Sequence, residues 1–253
     1  MFAGRSRLGR VLLLLGVVVP LLLQQVQVQA RATCKLHLEG LGSAQGIKSA
    51  QLSCSGGTIT ASAHPMLANF TSKSSGVQWS RYGDCGNFTG GCLLTVCGET
   101  SALFLSAIVR NVNTSKTTAF MAMCVAGSSN LVFEGAKFEG NAVRPITTVT
   151  PGAKIYIKRS NFTDNNLLWK TTAGGALYVG GGTAIVESST FSGNAVATQG
   201  GAIGVRAESA IQLSWSVFRD NQGAIVVQRS CMCTNGGNMC MDAPSMQPRR
   251  CVS

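Results

Sequence analysis

The chain has 253 residues, 45% of them hydrophobic and 12% charged, with a formal net charge of +11 from 21 Lys and Arg against 10 Asp and Glu. It carries no Gly-x-Ser-x-Gly nucleophile motif, no phosphate-binding loop and no His-based metal motif, which sets aside the enzyme classes those motifs announce. Without interleaved aromatic and basic residues it also makes a poor nucleic-acid platform, so nucleic acid is not an expected partner.

Residues 1–30 read as a secretory signal. Arg5, Arg7 and Arg10 form a basic start, Val11 to Leu23 is an apolar run of 13 residues, and Val28-Gln29-Ala30 fits a small-x-small cleavage site. An uncleaved anchor is the alternative, but the run is short of the ~20 residues a membrane span needs, and Pro20 interrupts it. Cleavage leaves 223 residues from Arg31, with 18 basic against 10 acidic side chains, a charge of +8, and no membrane span. The expected location is secreted and extracellular, and the length suits one domain.

Residues 31–100 are expected to form a Cys-rich N-terminal cap with degenerate repeats. Lys35–Glu39 and Gly57–Thr60 read as short strands. The run Leu94-Thr-Val-Cys-Gly-Glu-Thr echoes Leu177-Tyr-Val-Gly-Gly-Gly-Thr further on. Leu103, Leu105 and Ile108 followed by Asn113 fit the frame of the later repeats, with Arg110 in place of a Phe.

From 101 to 230 the chain repeats itself. Four times a Phe is followed three residues later by an Asn: Phe138/Asn141, Phe162/Asn165, Phe191/Asn194 and Phe218/Asn221, at Phe-to-Phe steps of 24, 29 and 27 residues. Small-residue turns follow at Gly174-Gly175-Ala176-Leu177, Gly200-Gly201-Ala202-Ile203 and Gln222-Gly223-Ala224-Ile225. A period of this length marks a solenoid, whose units stack. Aligned on the Phe, positions −7 and −5 are Leu131/Ile155/Ala184/Ile211 and Phe133/Ile157/Val186/Leu213, with mostly polar neighbours at −6 and −4. That is a period of two, the strand signature, and the stretch from −4 to −2 breaks it as a bend would. A second strand follows each turn, with Leu177/Val179, Ile203/Val205 and Ile225/Val227 as inward pairs. Two or three strands per turn with Gly-rich corners describe a parallel β-helix, with rungs about 4.8 Å apart. The Phe residues then stack inside and the Asn residues line up at a corner, structural positions that recur too often to be an active site.

Phe-x-x-Asn paired with Gly-Gly-Ala-[Ile/Leu] resembles the repeats of the chlamydial polymorphic outer-membrane proteins and, more broadly, the pectin lyase-like right-handed β-helices. The resemblance covers about residues 103–228 and implies the fold and, more faintly, adhesion. It departs from those bacterial proteins in that nothing after Gln228 reads as a membrane barrel. The fold class expected is therefore all-β, a right-handed parallel β-helix solenoid with disulfide-stapled terminal caps, residues 231–253 being a Cys-rich second cap or a loose tail.

All ten cysteines follow the cleavage site: Cys34, Cys54, Cys85, Cys92, Cys97 and Cys124 before the clean repeats, and Cys231, Cys233, Cys240 and Cys251 after them. An even count in a secreted chain points to disulfides of undetermined connectivity, stapling the ends that a solenoid must cap. A zinc site at Cys231, Cys233 and Cys240 is the alternative, disfavoured in an oxidising compartment and with His37 and His64 distant in sequence. No cofactor or metal is expected. Asn69, Asn87, Asn113 and Asn161 open Asn-x-Ser/Thr sequons, and alternation turns Asn161 outward.

The charge points to anionic polysaccharides, acidic lipids or anionic cell surfaces, or else only keeps the chain soluble. Lys158, Arg159, Arg206 and Arg229 are a candidate patch, and the expected partner is an anionic or neutral extracellular polysaccharide. For catalysis the best pair is Asp164 and Asp220, which share one repeat position two units apart, roughly 9–10 Å at two strand spacings. That approaches an inverting-glycosidase separation, but corner aspartates more often hydrogen-bond their own turn. The expected role is a non-catalytic structural or adhesive module, and the rival is a polysaccharide lyase or hydrolase of the same fold. The chain stops soon after the last repeat, which leaves open that it is a piece of a longer product.

Overall fold

A computed structural model describes residues 32–42, 46–71, 74–81, 85, 91–114, 119–167, 174–196, 200–206, 208–222 and 225–227, together with the short strands 232–234, 240–242 and 247–249. For the last three strands and for 119–120, 166–167 and 226–227 the description is of the backbone alone. The segment read as a signal lies outside the described residues.

The regular chain winds through three strands per coil. One coil is Lys154–Lys158, Asn161–Thr163 and Leu177–Val179, and the next is Thr183–Glu187, Thr190–Ser192 and Ile203–Val205. Each strand pairs in parallel with its counterpart one coil on, Ile157 on Val186, Phe162 on Phe191 and Leu177 on Ile203. Repetition builds three walls. The first stacks from Ser101–Leu105 to Ala210–Ser214 and Met232–Thr234, the second from Ile108–Arg110 to Val217–Arg219, and the third from Gly91–Cys97 to Ile225–Val227. This is a parallel β-helix. No helix among the described residues is long and apolar enough to cross a membrane.

Alternation fills its inside. Leu131, Ile155, Ala184 and Ile211 form one interior column and Phe133, Ile157, Val186 and Leu213 the next, all buried, as the period of two predicts. On the third wall Leu94, Met123, Ile146, Leu177 and Ile203 share a column, which places the Leu94 echo in register with Leu177. On the second wall Phe138, Phe162, Phe191 and Phe218 stack with ring centroids 4.5, 4.5 and 5.0 Å apart and planes within 14°. Offset-stacked rings add about 0.5–1.5 kcal/mol per pair beyond their burial.

Two of the three corners that turn the chain between walls have a repeated polar device that satisfies them. At the first, Gly135, Arg159, Ser188 and Trp215 have φ of 64°, 47°, 50° and 52°. Such a left-handed residue redirects the strand, and the serine after it seals the bend. Ser160 Oγ donates to Lys158 O (2.8 Å) and accepts from Ala136 N–H (3.1 Å), and Ser189 Oγ repeats this with Glu187 O and Ser160 N–H. At the second corner the asparagines form a ladder. Asn165 Nδ2 donates to Phe138 O and to Asn194 Oδ1, both at 2.9 Å, while its Oδ1 accepts from the backbone and side-chain amides of Asn141. Asn194 does the same with Phe162 O, Asn221 and Asn165. An aspartate could not donate here and a leucine could do neither, which is why the position repeats as Asn.

The N-terminal end departs from this pattern. Strand β1 (Ala32–Gly40) runs unbroken across the first corner, pairing in parallel with Ser101–Leu105 and then with Ile108–Arg110. Strand β2 (Ile47–Ser55) folds back on it antiparallel, so a hairpin ends the stack instead of another coil. On the third wall β3 (Ile59–Ala63) lies antiparallel on Gly91–Cys97, with β4 (Val77–Ser80) outermost. The turn Pro65–Leu67 and the short helix Ala68–Thr71 join this cap: Leu67 is buried in the core, and Met66 and Phe70 pack against it. Three disulfides tie the region together: Cys34–Cys54 between facing residues of β1 and β2, Cys85–Cys97, and Cys92–Cys124 between neighbouring strands of the third wall. Cys231 and Cys251 lie outside the described residues, and the side chains of Cys233 and Cys240 are likewise not described.

One sequence frame is corrected here. Val109, not Arg110, stands in the Phe column, paired with Phe138, and Val112 rather than Asn113 meets the Asn ladder, its N–H donating to Asn141 Oδ1 at 3.0 Å. Leu103, Leu105 and Ile108 therefore belong to the outward set, and Ala102, Phe104 and Val109 fill the core.

Candidate functional site

Asp164 and Asp220 occupy the left-handed position of the second corner, with φ of 52° and 51°, and both are exposed. Their column reads Asn111, Gly140, Asp164, Gly193 and Asp220, so a polar side chain alternates with glycine. The alternation has a steric cause. A Cβ on residue 193 would collide with Asp164 Oδ1, and one on residue 140 would fall 2.8 Å from Asn111 Oδ1. Asn111 and Asp164 thus lie over the glycines of the next coil. Of the pair anticipated as catalytic, Asp164 packs over Gly193, and Asp220 holds the same exposed corner position two coils on.

The cations anticipated as one patch do not converge. Lys158 pairs with Glu187 at 3.5 Å and Arg159 pairs with Glu134, all on the outer edge of the first wall. Arg206 is exposed, but it precedes Ala210, which shares a row with Thr183 and Lys154 at the other end of those strands. A five-residue strand separates them, so the patch is corrected to two edges of one face; Arg229 lies outside the described residues. Exposed pairs of this kind contribute about 0–1 kcal/mol and leave the surface close to neutral.

Between those edges, the outward middle row of the first wall is Leu103, Val132, Tyr156, Ile185 and Gln212. It is an apolar strip a few coils long with polar rows on either side, shallow and mixed. Leu105, 40% exposed, adjoins it.

A tighter charge cluster stands on the second wall. Glu39 contacts Arg110 at 3.2 Å, Lys48 at 3.3 Å and His37 at 3.6 Å. Burial works to raise its carboxyl, but the hydrogen bonds and charges of Lys48 and Arg110 outweigh it and hold the group below the ordinary carboxylate value. On the third wall Arg144 is buried, its Nε donating to Gly174 O at 2.8 Å and its guanidinium 4.4 Å from the centre of the Tyr178 ring. Desolvation pulls its pKa down to about 10, with Tyr178 acting in the opposite direction. Neither cluster has a sequence signature. Glu39 meets its partners through the cap hairpin and the next coil, and Arg144 stands in a column with Met121 where no repeat recurs.

Of the sequon asparagines, Asn69 is exposed on the short helix of the cap, and Asn161 is exposed on the second wall with Phe162 turned inward beside it. Asn113 is half-buried, and its Nδ2 donates to Gly42 O at 3.3 Å. Asn87 lies outside the described residues, as does Gly223 of the last turn.

A family model described as a right-handed β-helix region matches residues 97–240, more than half of the chain. No curated protein and no solved structure matches the chain.

Proposed function

The chain belongs to the right-handed β-helix family, and on that premise we propose that it is a secreted, non-catalytic module with a structural or adhesive role at a cell surface or in extracellular matrix, contacting glycans. The observation that carries this is how four of its described carboxylates are used. Glu39, Glu134 and Glu187 are engaged by Lys and Arg, and Asp164 packs over Gly193. A polysaccharide lyase or hydrolase of this fold needs convergent carboxylates, with a basic residue beside them or room for a water between them. Carboxylates bound into the scaffold serve it instead.

Secretion is supported by three disulfides, which persist in oxidising compartments, and by the signal read at residues 1–30. Exposed Asn69 and Asn161 support a glycoprotein. The likeness of the Phe-x-x-Asn and Gly-Gly-Ala repeats to chlamydial polymorphic outer-membrane proteins and pectin lyase-like helices favours adhesion as the use of the shallow outer face. The test is to present the secreted protein with uronate and neutral polysaccharides, with and without calcium. Binding without turnover is the expected result. Unsaturated products or new reducing ends, lost in Asp164→Asn or Asp220→Asn, would establish the enzymatic alternative.

A further inference from the structure

The join between the cap and the first full coil leaves a concavity. β1 pairs with Ala102–Phe104 through residues 32–34 and with Ile108–Arg110 through residues 37–39. Two β1 residues, Lys35 and Leu36, therefore face three of the coil, Leu105, Ser106 and Ala107. The coil bends here, with Ser106 at φ 50°, while β1 runs straight. The mismatch opens a groove of about 420 Å³ lined by Lys35, Leu36, His37, Gln51, Leu105, Ser106 and Ile108. A hexose ring or two occupies a volume of this order.

The chemistry of the lining is one-sided. Lys35, His37 and Gln51 are side chains with N–H donors, and no carboxylate is among the described residues that line the groove. Lys35 and Gln51 are exposed, whereas Glu39, the nearest acid along β1, is engaged by Lys48 and Arg110. Lys137 extends the row from His37 through Ile108, which adds a second lysine next to the lining residue Ile108. Leu105 and Ile108 supply an apolar floor and wall beside these donors. Donors and positive charge facing an aliphatic surface match a ring with an apolar face and an anionic substituent.

We propose that this groove is a binding site for an acidic saccharide unit, a uronate or sulfated sugar, with Lys35 contacting the anionic group and Gln51 the ring hydroxyls. The proposal rests on the glycan-contacting role above and locates it at the cap, away from the edges that carry Lys158 and Arg206. The two edges offer paired or isolated cations on a flat wall. The groove offers an exposed lysine in a concavity, with no acidic partner among the described residues.

The experiment is calorimetric titration of the full secreted protein with a uronate tetrasaccharide, a sulfated disaccharide, a neutral tetrasaccharide and inorganic sulfate. Binding of an acidic saccharide is expected to weaken about tenfold in Lys35→Glu, about 1.4 kcal/mol, and to change less than about twofold in Lys158→Glu or Arg206→Glu. Lys35 is exposed, so folding is not at issue, and a Gln51→Ala variant is expected to weaken acidic and neutral saccharides alike. Unchanged affinity in Lys35→Glu, or loss in the Lys158 or Arg206 variants, would overturn the groove while leaving the glycan-binding module intact. Inorganic sulfate competing as well as the sulfated sugar would reduce the site to a bare anion contact and overturn it too. No binding to any saccharide would remove both the groove and the module.

Discussion

The regular coils and the N-terminal cap hold themselves together by different means. From 130 to 222 the repeats supply internal ladders: Phe rings stacked 4.5–5.0 Å apart, an Asn column in which each amide both donates and accepts, and a Ser column that closes the first corner. No disulfide joins described residues there. From 32 to 125 the ladders thin out. Val112 stands where an Asn would be, Val109 where a Phe would be, the strands turn antiparallel, and all three disulfides appear. Covalent staples occur where the repeat stops providing a register. Parallel stacking can be extended coil by coil with satisfied side chains, but an end has no next coil to satisfy it, and sequence there must close the core by other means.

The sharpest way to break the coil side of this contrast is Asn165→Leu. It removes the partner of Phe138 O, the acceptor shared by the backbone and side-chain amides of Asn141, and one of the two donors to Asn194 Oδ1, which keeps the Asn165 N–H. At about 1–3 kcal/mol for each group left unsatisfied, a loss of about 3–6 kcal/mol is expected in denaturant unfolding, or failure to secrete. Phe162→Ala empties the middle of the aromatic stack and should cost about 3–5 kcal/mol by the same assay. On the cap side, replacing Cys92 and Cys124 together by Ala opens a loop of 32 residues and should cost about 2–4 kcal/mol.

The cap should also respond to pH through His64. Its Nδ1 accepts the N–H of Met66 and so holds the start of the turn that packs Leu67 into the core; burial lowers its pKa from the ordinary 6.5. A depressed value means that the folded state favours the neutral ring. The stabilisation is full above about pH 6.5 and is lost as pH falls below it. Thermal unfolding between pH 8 and 5 should show this decline, and a His64→Asn variant, which keeps a capping acceptor without titrating, should abolish it. Smallest of all, Trp215→Gly removes an 84% exposed ring from a left-handed corner and should stabilise by about 1 kcal/mol.

Much of the coil was legible because its physics repeats. Inward columns, the Phe and Asn positions and the bend before each Phe all recur at fixed offsets, which leaves two or three strands per coil; the structure has three. The first coil was misframed by one residue because a Val can replace both Phe and Asn when the cap supplies the neighbours: β1 donates Leu38 beside Val109. Sequence alone could not pair the cysteines, since any of the six could have faced any other. Nor could it find Glu39 with Arg110, or the groove beside Lys35. Both depend on how a straight strand lies against a bent one, and that is set by contacts 70 residues apart in the chain. The aspartates are visible as a shared repeat position, but the glycine that Asp164 covers is apparent only in register.

Amide hydrogen exchange with and without reductant tests the division of labour most directly. Reduction should raise exchange in 32–63 and 91–125 while 154–192 keeps its protection, because its ladders owe nothing to the disulfides. Protection lost at 154–192 together with the cap, or absent there before reduction, would contradict a coil that its own Phe and Asn columns sustain.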